Sequence, residues 1–288
     1  MLHKKRIEYQ PYIDMKDKRN IAISRIEHFQ NKNENNKNIL AFSGGKDSLA
    51  AYLVVLESGI PFIPIYSATS ADPPDLIYYL WKFNDWCLIN GFPQVIIQPY
   101  NKFTERQAKG KMTGKEKTMW TLIGNRGIPP TRRKAYCCQE LKERTGEPGD
   151  TVFTGVRWEE SPKRSMQKMV NFFSNKIMVR PIVDWTEDEV WSFILYHEYK
   201  APYCCLYDLG WDRIGCIGCP KARKKQRLKE LEYYPQYKEM YIKAFNKMIK
   251  YRKENNLGIN ENWATGKDVF NWWLELTDNE IEEQCSIF

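Results

Sequence analysis

No apolar run in this 288-residue chain approaches the roughly 20 residues that a membrane-spanning helix needs. The first residues, Met1-Leu2-His3-Lys4-Lys5-Arg6, carry charge without an apolar stretch behind it, which argues against a secretory leader. Histidine is scarce: His3, His28 and His197 are the three in the chain, and none has a partner at metal-ligand spacing. They are read as structural or exposed. There is no Gly-x4-Gly-Lys-Ser/Thr, so the Walker type of phosphate loop is excluded. No internal repeat and no extended low-complexity tract is found. These absences predict a cytoplasmic globular protein with no membrane partner.

Cysteine, by contrast, is plentiful. Eight cysteines in a cytoplasmic chain argue against a disulfide framework and for metal ligation or thiol chemistry. The formal net charge of +8 suits anionic partners, either nucleotides or nucleic acid.

Apolar periodicity predicts a helix near Asp17–Gln30, then a strand at Ile39–Phe42, a helix over Ser48–Leu56 stopped by Gly59, and a strand at Phe62–Ala68. A helix over Leu76–Ile89 and a strand at Gln94–Gln98 follow. Further strands are expected at Thr151–Val156 and Ile177–Ile182, with helical segments around Glu116–Asn125 and Tyr136–Arg144. This alternation predicts an α/β fold, a parallel twisted sheet with helices on both faces. From Glu187, introduced by Thr186 as N-cap, the pattern becomes helical, with long charged helices at Lys221–Tyr234 and Gln236–Asn255 and a shorter one at Lys267–Leu276. The expected organisation is an N-terminal helical extension over 1–35, a nucleotide-binding α/β domain over 36–185, and a cysteine loop with a helical C-terminal portion over 186–288.

Ser43-Gly44-Gly45-Lys46-Asp47-Ser48 comes directly after a predicted strand and opens a predicted helix. In open α/β sheets, ligands bind beyond the carboxyl ends of strands. Paired glycines let backbone N–H groups approach phosphate oxygens, and the helix N-terminus adds partial positive charge. Ser43 and Ser48 supply hydroxyl donors and Lys46 a cation; Asp47 is assigned to loop structure or to Mg2+. The segment resembles the PP-loop of the ATP pyrophosphatase superfamily, whose members bind ATP there and cleave between the α- and β-phosphates.

Four cysteines fall into two pairs, the adjacent Cys137-Cys138 and the C-x2-C turn Cys216-Ile217-Gly218-Cys219. Thiolates in such pairs suit one metal centre. Adjacent cysteines tilt the expectation toward a [4Fe–4S] cluster, with zinc the lesser alternative. Cys87 is read as core. Cys204 and Cys205 are read as an exchangeable extra ligand, a sulfur carrier or packing residues. The aromatic segment at Trp272-Trp273 is read as C-terminal core.

Several ordered blocks together resemble the phosphoadenosine phosphosulfate (PAPS) reductase family, a branch of the PP-loop, adenine nucleotide alpha-hydrolase-like fold. Besides residues 43–48 they are Thr69-Ser70-Ala71-Asp72-Pro73-Pro74, Arg132 through Lys142, Gly155-Val156-Arg157-Trp158-Glu159-Glu160-Ser161 with Arg164, Pro181-Ile182-Val183-Asp184-Trp185-Thr186 with Val190-Trp191, and Ala201-Pro202-Tyr203 leading through Leu206-Tyr207 to Ile214-Gly215-Cys216. The resemblance implies that Cys137, Cys138, Cys216 and Cys219 ligate the cluster, that Lys142 sits close to cluster and substrate, and that Arg157 and Arg164 contact nucleotide phosphates.

Two features depart from the reductase pattern. Reductases of this family carry a degraded phosphate loop, whereas residues 43–48 are intact. Their tail ends in Glu-Cys-Gly-x-His, whereas this chain ends Glu283-Gln284-Cys285-Ser286-Ile287-Phe288. Cys285 is a candidate nucleophile on a flexible terminus, or an incidental tail cysteine; the missing glycine and histidine favour the second.

The resulting expectation is an enzyme that cleaves ATP to AMP and pyrophosphate, with Lys46 and Asp47 in the reacting loop, and that supports sulfur transfer. Its partners would be an adenine nucleotide, a nucleic-acid substrate and a sulfur donor, and oligomeric assembly is compatible with the sequence. The alternatives are a PAPS or adenylyl-sulfate reductase that uses Lys142, Cys285 and a thioredoxin-like protein to release sulfite, and a non-catalytic nucleotide-binding component of a larger assembly.

Overall fold

A computed structural model describes residues 10–108 and 112–275. Six strands form one sheet: β1 (Asn38–Ala41), β2 (Ile63–Ser67), β3 (Ile96–Gln98), β4 (Thr151–Thr154), β5 (Val170–Phe173) and β6 (Lys176–Val179). The spatial order is β3-β2-β1-β4-β6-β5. All neighbours pair in parallel except β5 with β6. Three consecutive residues of β1 and of β4 are buried. A strand buried at successive positions is covered on both faces, as a parallel sheet with crossover helices requires.

The helices are α1 (Lys16–Phe29), α2 (Lys46–Glu57), α3 (Pro74–Asn90), α4 (Glu105–Ala108), α5 (Met119–Arg126), α6 (Pro162–Ser165), α7 (Glu187–Tyr196), α8 (Lys224–Tyr233), α9 (Pro235–Glu254) and α10 (Gly266–Leu274). Thr186 caps α7 as expected, in a capping box with Glu189. The α/β expectation holds.

Two local expectations change. The helix expected over Tyr136–Arg144 is a single wide turn at Cys138–Lys142, closed by a hydrogen bond from the Glu143 amide to the Cys138 carbonyl, five residues back. That is π-type closure, which concentrates at functional sites. The second is β5, an antiparallel edge strand that the sequence reading lacked. Its Phe172 and Phe173 are exposed, so the strand has no alternating pattern to betray it.

Compactness divides the chain into two interleaved units. Unit 1 comprises residues 1–67, 74–98 and 145–215; unit 2 comprises 68–73, 99–144 and 216–288. Unit 1 holds the sheet with α1, α2, α3, α6 and α7. In unit 2, α9 packs against α5, α8 and α10, and an aromatic core joins Tyr241 to Trp120, Phe245 and Trp273.

Candidate functional site

The Ser43–Ser48 loop is in unit 1, between the carboxyl end of β1 and the N-terminus of α2. Gly44 has φ +74°, and a Cβ there would overlap the Leu76 side chain. The position therefore demands glycine on both counts. Gly45 is the N-cap, so Lys46, Asp47 and Ser48 form the first turn of a 12-residue helix. The Ser48 hydroxyl donates to the Gly45 carbonyl at 2.8 Å and accepts from Ser43 at 3.2 Å. The Lys46 amide donates to the Tyr207 hydroxyl at 2.9 Å. These contacts fix the loop backbone without calling on a ligand.

Lys46 is buried. Its Nζ lies 3.6 Å from Asp47 Oδ2 and 3.8 Å from Glu187 Oε1, and donates to the Asp212 carbonyl at 3.4 Å. Asp47 in turn accepts from Arg157 Nε at 2.6 Å. Arg157 is 2% exposed and also donates to Glu159 at 2.9 Å and to the Trp185 carbonyl at 3.0 Å. Burial works against its charge, yet Asp47 and Glu159 carry its pKa above the ordinary arginine value. Arg157 thus braces Asp47 from below the loop. Arg164 pairs with Glu160 on the more exposed side.

The four paired cysteines are all in unit 2, with Lys142. Cys137 and Cys216 are buried, whereas Cys138 and Cys219 are partly exposed. The C-x2-C turn is closed by the Cys219 amide on the Cys216 carbonyl at 3.2 Å. Gly218 has φ +69°, and a Cβ there would meet Trp273 and Tyr241, each at 3.3 Å. Glu230 accepts from the Gly218 amide at 2.8 Å, and Tyr241 donates to the Ile217 carbonyl at 2.8 Å. Arg227 reaches the Gly218 carbonyl at 3.3 Å while lying over the Trp273 ring. Helices α8, α9 and α10 therefore each hold this turn.

The thiols influence one another. A hydrogen bond from Cys137 and the nearby Lys221 and Lys142 cations pull the Cys138 thiol down to about 5, while the same hydrogen bond and burial push Cys137 up. Burial raises Cys216 to about 11 against the pull of Lys142. Lys142 is held above the ordinary lysine value by Cys216 first, then by Asp72, Cys219 and Cys138, against its own burial. All four thiols and one cation thus share a single electrostatic neighbourhood. Among the described residues, no three His, Cys, Asp or Glu side chains already converge as a metal-ligating group.

Residues 37–222 match the family model of the phosphoadenosine phosphosulfate reductase domain. The chain belongs to this family. As a PAPS reductase domain protein it is 28% identical over 247 residues to an uncharacterised protein of Methanocaldococcus jannaschii, a match covering 82% of this chain and 53% of that relative. It is 38% identical over 92 residues to the adenosine 5'-phosphosulfate reductase of Shouchella clausii, covering 30% of this chain and 37% of the reductase. The chain therefore spans about half the length of the first relative, and the match takes in little more than a third of the second. Among solved structures it is similar to the PAPS reductase of Candida auris in its phosphate complex, at 18% identity and a TM-score of 0.43, covering 69% of this chain and 87% of that one.

Within this family member, Ser43 through Ser48 and Arg157 come together in unit 1, and Cys137, Cys138, Lys142, Cys216 and Cys219 in unit 2. Cys285 lies outside the described residues. Cys204 and Cys205 are in unit 1, their thiols directed at the carbonyl and carboxylate of Asp75 at 4.0 and 3.9 Å. Cys87 is core, beside the Tyr52 hydroxyl at 3.3 Å. Trp273 is buried, whereas Trp272 is 44% exposed, so only half of that aromatic pair is core. The sequence reading missed the loop partners Tyr207 and Glu187, and the cysteine-side groups Asp72 and Lys221. Asp72 and Tyr207 lie in blocks that carry the family resemblance, but nothing in the letters assigns them a role.

Proposed function

We propose that this chain binds ATP on residues 43–48, cleaves it between the α- and β-phosphates, and uses the cysteine centre to support sulfur transfer to the activated substrate. The intact loop at the start of α2, with Lys46 already buried among carboxylates, carries this reading. An oxygen of the acceptor attacks the α-phosphorus, the bond to the bridging oxygen breaks, and pyrophosphate leaves with the electron pair. Lys46 binds the departing phosphates. Asp47, held by Arg157, and Glu187 are the carboxylates at hand to keep Mg2+ beside them. The resulting adenylate makes the acceptor oxygen a leaving group, so a sulfur nucleophile displaces AMP.

Cys137, Cys138, Cys216 and Cys219 would hold a [4Fe–4S] cluster. Four thiols sharing one electrostatic field, on a turn pinned by three helices, suit that donor set. When bound, the cluster supplies a site for the sulfur donor. Lys142 balances the thiolate charge. Among the described residues, unit 2 carries 23 Lys and Arg against 12 Asp and Glu, while unit 1 carries 16 against 19, so the cationic excess of these residues resides with the cysteines. That distribution favours a polyanionic acceptor such as nucleic acid.

A second reading, reduction of a sulfonucleotide to sulfite with a thioredoxin-like partner, is favoured by the local likeness to adenosine 5'-phosphosulfate reductase. Incubation of the anaerobic protein with ATP, Mg2+ and nucleic acid, or with adenylyl sulfate and reduced thioredoxin, separates them. Pyrophosphate release that disappears in Lys46→Ala supports the first. Sulfite release that disappears in Cys285→Ser, with ATP intact, replaces it by the second.

A further inference from the structure

The block at residues 69–72 has no role in the chemistry above, yet it is among the most heavily bonded stretches of unit 2. Thr69 Oγ1 donates to Asp72 Oδ1 at 2.8 Å, and Asp72 Oδ2 accepts from the Thr69 amide at 2.6 Å. With its proton committed to Asp72, the Thr69 hydroxyl offers lone pairs to two donors. One is the Ala71 amide at 3.2 Å; the other is the Cys216 thiol at 3.3 Å. The backbone beyond the cysteine is tied to the same block, the Ile217 amide donating to the Ala71 carbonyl at 2.7 Å. The far end is fixed by Tyr237, whose hydroxyl donates to the Asp72 carbonyl at 2.6 Å. Thr69, Asp72 and Cys216 are all buried, so water does not replace these bonds when one is lost.

We infer that Thr69 and Asp72 are positioning residues for Cys216. The carboxylate sets the hydroxyl rotor, the hydroxyl sets the sulfur, and the Ala71 carbonyl sets the peptide that follows. Cys216 is thereby pre-aimed, whereas its turn partner Cys219 is partly exposed and Cys138 lies near the exposed Lys221. A valine at 69 keeps the shape and removes the acceptor; a serine keeps the acceptor and removes the methyl. The inference rests on the reading of Cys216 as a metal ligand only for its consequence, not for its geometry.

The test uses full-length Thr69→Val and Thr69→Ser, with Asp72→Asn as a third variant. In chelator-treated anaerobic protein, iodoacetamide labelling of each cysteine is followed by peptide mass spectrometry. Cys216 should label faster in Thr69→Val by about fivefold, the factor that one ordinary hydrogen bond represents. Cys87 should be unchanged, and Thr69→Ser should match the natural chain. Iron and sulfide retained after anaerobic reconstitution should fall in Thr69→Val and recover in Thr69→Ser. Asp72→Asn should resemble Thr69→Val. Should the valine chain not fold, Thr69→Ala carries the same readout. Equal Cys216 labelling in the natural chain and Thr69→Val, or a serine variant as impaired as valine, would overturn the inference. A natural chain that takes up no metal would sink the metal-centre reading instead, and the labelling pattern would still decide the role of Thr69.

Discussion

The Ser43–Ser48 loop and the cysteine centre each hold a lysine, Lys46 buried and Lys142 partly exposed, and the two keep different company. Lys46 sits among the carboxylates of Asp47 and Glu187, and Asp47 is itself gripped by the buried Arg157. Lys142 draws its strongest support from Cys216, a thiol that burial keeps protonated up to about 11. The first site is a finished set of charges before any ligand arrives. In the second, the Cys138 thiol is already pulled down to about 5 while Cys137 and Cys216 are pushed up, so the charge balance is completed only when these two also become thiolates, as ligation of a metal requires. Preorganised charge suits a site for a pre-charged substrate such as a nucleotide, whereas latent charge suits a site built around an inserted group.

The largest expected effect breaks the first site from beneath. Arg157→Met removes two charge-assisted hydrogen bonds, to Asp47 and to Glu159, each worth about 1.5–3 kcal/mol. Denaturant unfolding should show that loss. Next, Cys219→Ala should abolish metal retention, measured as iron or zinc per chain, while ATP affinity stays within about twofold. Matched losses of metal and ATP affinity would show that the two sites are not separable. Lys46→Ala should do the converse. It should weaken ATP binding about 10- to 100-fold, or roughly 1.4–2.8 kcal/mol, in calorimetric titration with metal content unchanged.

The smallest effect concerns acid. Burial alone would raise the carboxyl pKa values of Asp184 and Glu140, yet Arg25 brings the first below its ordinary value, and Lys117 and Arg126 the second. Depressed folded values mean that the stability is present above the unfolded pKa values, about 3.9 and 4.3, and is lost as pH falls through the folded ones. Asp184 belongs to unit 1 and Glu140 to unit 2. Asp184→Asn and Glu140→Gln should each flatten the fall of Tm below about pH 4. If only one does, acid lability belongs to one unit.

Much of the fold was legible because local rules decide it. The Gly44-Gly45 pair, the Thr186 cap and the apolar periods of α2, α3 and α9 each state their structure within a few residues. The placement of residues 43–48 was legible for the same reason: strand, glycines and helix are contiguous. What was not legible is what the chain brings together from afar. Tyr207 reaches the Lys46 amide across 161 positions, and no periodicity announces a single hydroxyl. The phosphate role expected for Arg157 came from the family resemblance, whereas its burial and its bonds to Asp47 and Glu159 are tertiary facts. The interleaving of the two units is equally invisible to a reading along the sequence, because residues 68–73 leave unit 1 for only six positions.

The most direct test of the account is the fate of ATP on the intact, anaerobically prepared protein. With Mg2+ and a nucleic-acid acceptor, label in the α-phosphate should appear in AMP and label in the γ-phosphate in pyrophosphate, in equal amounts. ADP with orthophosphate, or untouched ATP beside sulfite released from adenylyl sulfate, would contradict it.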